Sequence, residues 1–158
     1  REMRRFCCPA VLLACGLAAV LPSGCEPAGP KLYPVRGTVT VKGKPAAHAV
    51  VFLHRKGRTD MAEPVPYGKA GDDGKFVVTT NKDGDGAQTG EYVLTVFYPD
   101  MTKQPDGNGQ RPDLLNGAYE KPGQTKLAAT VKPEENTIPP IDLTPGPPRK
   151  VVSDPNNK

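Results

Sequence analysis

The chain has 158 residues and a formal net charge of +4, room for one ordinary domain with short appendages. Its 17 glycines and 19 prolines follow no fixed period, aromatic residues make up 6%, and tryptophan is absent. That composition excludes a coiled coil, a long helical bundle and a large α/β enzyme scaffold, and so even a charge balance supplies no footprint for DNA or RNA. The first segment, residues 1–24, reads as an export signal. Arg1, Arg4 and Arg5 form a basic head, an uncharged apolar run follows from Ala10 to Leu21, and small residues lead to Cys25. The uncharged stretch is borderline for a spanning helix, which needs ~20 mostly apolar residues. Pro9, Gly16, Pro22 and Gly24 disfavour a permanent span, so a cleaved signal is the leading reading and a retained anchor the alternative. All four cysteines (Cys7, Cys8, Cys15 and Cys25) lie in this stretch, so the rest of the chain relies on its core and not on disulfides.

Residues 25–32 form a short tether in which prolines favour an extended chain. From Tyr33 the period is two. Tyr33, Val35, Gly37, Val39 and Val41 alternate with Pro34, Arg36, Thr38, Thr40 and Lys42, which predicts a half-buried strand. After a Gly43-Lys44-Pro45 turn, residues 49–54 are apolar on both faces. The turn 71–74 feeds a strand over 75–80, and the glycine-rich loop 81–90 feeds another over 91–98. A polar stretch, 99–124, holds no more than one or two helical turns near 112–120. Strands over 127–131 and 138–143 close the domain, and residues 144–158 read as a Pro-rich disordered tail. Short strands with glycine and proline turns predict an all-β sandwich of about seven strands over 33–143.

Two resemblances follow from these residues. Ser23 and Gly24 before Cys25 resemble a bacterial lipobox, with the departure that Pro22 stands where leucine is usual. That resemblance implies diacylation of Cys25, anchoring the chain to a membrane by more than one acyl chain; an incidental thiol is the alternative. Glu26 after the cysteine, in place of aspartate, points to the outer membrane. The runs 33–46, 49–52, 71–76 and 84–96, with the turns Gly43-Lys44-Pro45 and Asp73-Gly74-Lys75 and the step Gly90-Glu91-Tyr92, resemble the carboxypeptidase-regulatory-like domain of short bacterial lipoproteins. The resemblance implies a transthyretin-like (prealbumin-like, Ig-like) sandwich serving as an accessory module, with no catalytic residues and no cofactor.

Candidate sites are few. Asn81, Asp83, Asp85 and Gly86 imitate the start of a calcium loop, but its twelfth position falls on Tyr92 and not on a glutamate, so a plain turn is the better reading. Asp72-Asp73-Gly74 is likewise read as a turn. His48 and His54, the two histidines, lie ~20 Å apart if both sit on one strand, too far for one zinc, and are read as strand-edge residues. Ser153, in the tail, has no triad around it. Glu91 with Lys42 and Asn136 is a remote candidate for an isopeptide bond, and Glu91 is better read as a solvated strand-start residue. Arg55, Lys56 and Arg58 form a small basic patch. No metal site is expected. The expected role is that of a lipid-anchored extracytoplasmic module, structural or binding, in the bacterial cell envelope, with the membrane as partner through Cys25. The alternative is a carbohydrate- or peptide-binding module acting through loops 55–70 and 99–124 at the sandwich ends, where Tyr67 and Tyr119 are the available aromatics.

Overall fold

The computed structural model describes residues 29–57 and 63–148. The signal segment 1–24, Cys25, Arg58 and Ser153 lie outside the described residues. All regular structure among the described residues is β, so none of their helices is long and apolar enough to cross a membrane.

Proline and glycine decide where the strands begin and end. The expected first strand is divided at Pro34 into β1 (Leu32–Tyr33) and β2 (Val35–Val41), because proline has no N–H for a ladder. Lys42 and Gly43 both take positive φ, 50° and 74°, the two-residue turn whose twist matches a hairpin. That turn returns the chain as β3 (Lys44–Pro45), paired Val41 to Lys44. The Asp142 carboxylate accepts from Gly43 N at 2.9 Å and from the Thr40 hydroxyl at 2.7 Å, and these bonds hold its pKa below the ordinary carboxylate value. The last expected strand, 138–143, is cut back by Pro139 and Pro140 to β11 (Ile141–Leu143), and a separate short strand, β10 (Asn136–Thr137), precedes the two prolines. Between these ends lie β4 (Val50–Arg55), β5 (Tyr67–Lys69), β6 (Lys75–Val77), β7 (Ala87–Gln88), β8 (Gly90–Phe97) and β9 (Ala128–Val131).

Two larger sheets and one small ladder result. In the first sheet β2 is central, antiparallel to β6 and β3 and parallel to β10 and β11. The second is antiparallel in the order β5-β4-β8-β9. The ladder pairs β1 with β7, Leu32 opposite Gln88. Tyr67 joins the two sheets, exchanging N–H···O bonds of 2.9 and 2.7 Å with Thr79 just beyond β6. Both sheets supply one buried cluster: Val35 and Val39 from β2, Val51 and Leu53 from β4, Tyr92, Leu94 and Val96 from β8, and Ile141 and Leu143 from β11. At roughly 1.5–3 kcal/mol for each large apolar side chain buried, such a cluster stabilises a domain without disulfides.

Phe76 is packed through absence of side chains opposite it. Gly37 is its register partner on β2, and a Cβ there would stand 2.5 Å from Phe76 Cζ. A Cβ on Gly68 of β5 would stand 2.6 Å from Phe76 Cδ2. The ring thus lies across two glycines on neighbouring strands, the close approach that a glycine inside a strand signals.

The chain past Leu143 still packs on the domain. Gly146 N donates to Leu115 O at 3.0 Å, and Gly146 O accepts from Asn116 Nδ2 at 2.8 Å. Contacts with the domain therefore continue to Gly146, past the last strand.

Candidate functional site

One face of an antiparallel sheet is free to be polar when it meets water. The face of β5-β4-β8-β9 turned away from the core carries apolar and aromatic side chains among its polar ones. Its register rows set Val50 beside Phe97, Phe52 between Tyr67 and Thr95, and His54 beside Val93. The Phe52 and Tyr67 rings lie 6.3 Å apart, tilted by 39°. Thr95 interrupts the alternation of buried and half-buried residues along β8. It is buried along with its neighbours Leu94 and Val96, and its hydroxyl lies 2.9 Å from His54 Nε2.

Residues 99–124 fold back against this face, and Asp113 anchors them. Its carboxylate accepts from Tyr98 N at 3.0 Å, Leu115 N at 3.1 Å and Gly117 N at 2.7 Å. Two of these donors, Leu115 N and Gly117 N, lie in 112–120, where the sequence allows at most one or two helical turns, and the segment forms successive turns. Leu115 is fully buried in the core, and Tyr119 O accepts from Val96 N at 3.0 Å along the edge of β8. Nearer the tip, Asp106 accepts from Asn108 N and Gln110 N, both at 2.9 Å. Arg111 Nη1 donates to Lys103 O.

Between loop and sheet lies an open cleft of about 540 Å³. Val50, Phe52, Thr95 and Phe97 line its sheet side, while Met101 and Arg111 line its loop side. A smaller recess of about 290 Å³ adjoins it, sharing Phe97, Gln110, Arg111 and Glu120 and adding Gln104 and Asp106. The combined surface offers an apolar and aromatic floor beside amide, carboxylate and guanidinium groups, the mixture that small-ligand sites use for contact area and orientation. Asp113→Ala is expected to cost about 2–3 kcal/mol in urea unfolding, since three N–H groups lose a charged acceptor. Amide exchange should rise across 99–120 while β4 and β8 remain protected.

The sequence-named candidates are scattered. Tyr67 does stand on the cleft-bearing face, but Tyr119 is tied through its hydroxyl to Thr144 at 3.3 Å. The cleft opens on the face of the sheet, whereas the expectation put binding at the sandwich ends. His48 is not on a strand: it occupies a left-handed turn at φ 67° before β4, and its Nε2 is 4.0 Å from Asp72 Oδ1. Lys42, Asn136 and Glu91 are not brought together. Lys42 follows β2 while Asn136 pairs with Val35 at its start, ~23 Å away along an extended strand, and Glu91 pairs with Lys56 at 3.1 Å. Asn136 instead closes its own turn, its side chain bonding Lys132 N, Lys132 O and Glu134 O. Within the basic patch, Arg55 donates to Gln88 Oε1 at 2.9 Å and to Thr89 O at 3.2 Å. Among the described residues no group of three His, Cys, Asp or Glu side chains is placed to hold a metal.

The loop imitating a calcium site uses its carboxylate inwardly. Asp85 accepts from Thr80 N at 2.7 Å, Asn81 N at 2.9 Å and Lys82 N at 2.8 Å. Burial pushes the carboxyl up, but those backbone donors outweigh it and hold the pKa below its ordinary value of 3.8. A carboxylate depressed in the folded state stabilises fully above the unfolded value and loses that contribution as pH falls through the folded one. Stability is therefore expected to fall more steeply below about pH 4 in the wild type than in Asp85→Asn, as read by urea midpoints across an acid series.

Comparison with known proteins adds little. No family model matches the chain, and no curated protein matches it. Among solved structures, the crystal structure of a 9R-lipoxygenase from Cyanothece PCC8801 is similar over 80% of this chain, at 16% identity and a TM-score of 0.37. The chain spans 18% of that protein's length. A likeness this slight carries no argument about fold or function.

Proposed function

We propose that this protein is a lipid-anchored, extracytoplasmic module of the bacterial cell envelope with a structural or binding role, held to the membrane through Cys25 and without catalytic activity of its own. The observation that carries the reading is the order of parts. A basic head and apolar run end in small residues and Cys25, and the first strand of an all-β domain that contains no cysteine starts at Leu32. A protein built for an oxidising compartment without disulfides needs a self-sufficient core, and the cluster spanning both sheets supplies one. The finer fold we assign is the transthyretin-like sandwich of the carboxypeptidase-regulatory-like domain. Counting β10 and β11 as one interrupted strand, the segments β2, β4, β5, β6, β8, β9 and β10–β11 make seven, with β1, β3 and β7 as short additions. The test of the anchor is fractionation. Cys25→Ser is expected to move the protein from the membrane pellet to the soluble envelope fraction; a variant that remains in the pellet, or a wild type already soluble, refutes it.

A second reading, carbohydrate or peptide binding, is favoured by one observation: the cleft and its adjoining recess bring the Phe52 and Phe97 side chains beside the amides of Gln104 and Gln110. Aromatic faces and planar polar groups suit sugar rings and extended peptides alike. Capture of envelope glycans by the wild type, lost in Asp113→Ala while the sheets stay folded, is the expected result.

A further inference from the structure

The chain contains two Asn-Gly pairs, Asn108-Gly109 and Asn116-Gly117, both in the segment that walls the cleft. A glycine after asparagine leaves its backbone nitrogen unhindered toward the asparagine side-chain carbonyl, because no Cβ stands in the way. The two pairs are held very differently. At the second, Gly117 N donates to the carboxylate of Asp113 at 2.7 Å, and Asn116 Nδ2 donates to Gly146 O at 2.8 Å. Asn116 is also half-buried and fixed at φ 55°. Its nucleophile would have to lose a proton against a negative charge, and its leaving group would have to abandon a bond. At the first pair Gly107, Asn108 and Gly109 are all exposed, and Gly109 N donates only to the neutral carbonyl of Asp106, at 2.9 Å.

We propose that Asn108 is a site of spontaneous deamidation and that the fold protects Asn116 from the same reaction. Gly109 N attacks Asn108 Cγ, forming a C–N bond. The bond from Cγ to Nδ2 breaks, and ammonia leaves with the proton given up by the attacking nitrogen. Water then opens the cyclic imide at either carbonyl, giving aspartate or isoaspartate at 108, with a gain of one negative charge. In the isoaspartate product the backbone runs through Cβ, one methylene longer. The tip is closed by Asp106 N to Gln110 O at 2.7 Å and Gln110 N to Asp106 Oδ1 at 2.9 Å, bonds that the shorter native link keeps in register. Their loss releases Gln110 and Arg111 from the positions in which they line the cleft, so the reaction is a slow, one-way change in that wall.

The test is incubation of the folded full chain in mildly alkaline oxygen-18 water, followed by peptide mass spectrometry. Label and the accompanying mass increase should enter at Asn108 about tenfold faster than at Asn116, the ratio separating a charge-assisted from a neutral hydrogen bond that must break first. Gly109→Ala should slow the reaction at 108 and leave 116 unchanged. The two rates should converge in urea, where both sequences are equally free. Equal rates in the folded chain, faster reaction at Asn116, or no label at Asn108 under conditions that label it in urea would overturn the proposal.

Discussion

Phe76→Ala is expected to cost about 3–5 kcal/mol, a large share of the roughly 5–15 kcal/mol that holds a small domain together. The ring is 2% exposed and lies on Gly37 and Gly68, so its removal empties space that no neighbouring Cβ can fill. The loss also falls where β6 meets β2 and where β5 turns between sheets, so collapse of the cavity would require strands to shift. Thr95→Ala is the useful comparison. An exposed position on β8 would cost within about 1 kcal/mol on the strand-propensity scale. Because Thr95 is buried and bonded to His54, the expected cost rises to about 1–2 kcal/mol. Urea unfolding of both variants should preserve that order, and equal losses would contradict the packing described for Phe76.

Gly86→Ala is the second large effect, with an expected cost of about 3–4 kcal/mol, made up of left-handed strain and forced displacement of packed atoms. Gly86 has φ 87°, and a Cβ there would stand 1.8 Å from Tyr33 O and 2.9 Å from Pro34 Cα. Both contacts are backbone, so no side chain can swing aside, and the β1–β7 ladder must move. Gly43 separates the two contributions. Its φ is 74°, but an added Cβ would meet nothing within 4 Å, so Gly43→Ala should cost only the strain, about 1–2 kcal/mol. Equal costs for the two glycines would show that the Tyr33 contact is not rigid.

Much of this fold is written locally. Alternation through Val35, Gly37 and Val39 reports one buried face of β2, and the structure buries those residues. The interruptions at Pro34 and at Pro139-Pro140 follow from the missing N–H and are readable as such. The run 49–54 is apolar on both faces, a sign in the sequence that the outer face of β4 is not fully exposed, and that face is half-buried. What covers it was not readable. Residues 99–124 have no period, and their path depends on Asp113 gathering three N–H groups and on Leu115 reaching the core, interactions that spacing does not announce. The burial of Thr95 and the cleft above Phe52 and Phe97 follow from that path. His48 follows a related pattern: it takes a left-handed turn in which its N–H donates to Ala70 O at 3.0 Å, a long-range bond that spacing does not announce.

The central claim is that Cys25 carries this domain on a membrane. Mass spectrometry of the mature N-terminal peptide, recovered from envelope membranes, tests it most directly. The account predicts a peptide beginning at Cys25 with acyl groups on the cysteine. An unmodified peptide beginning at Cys25 or Glu26, from protein that stays soluble, would contradict it.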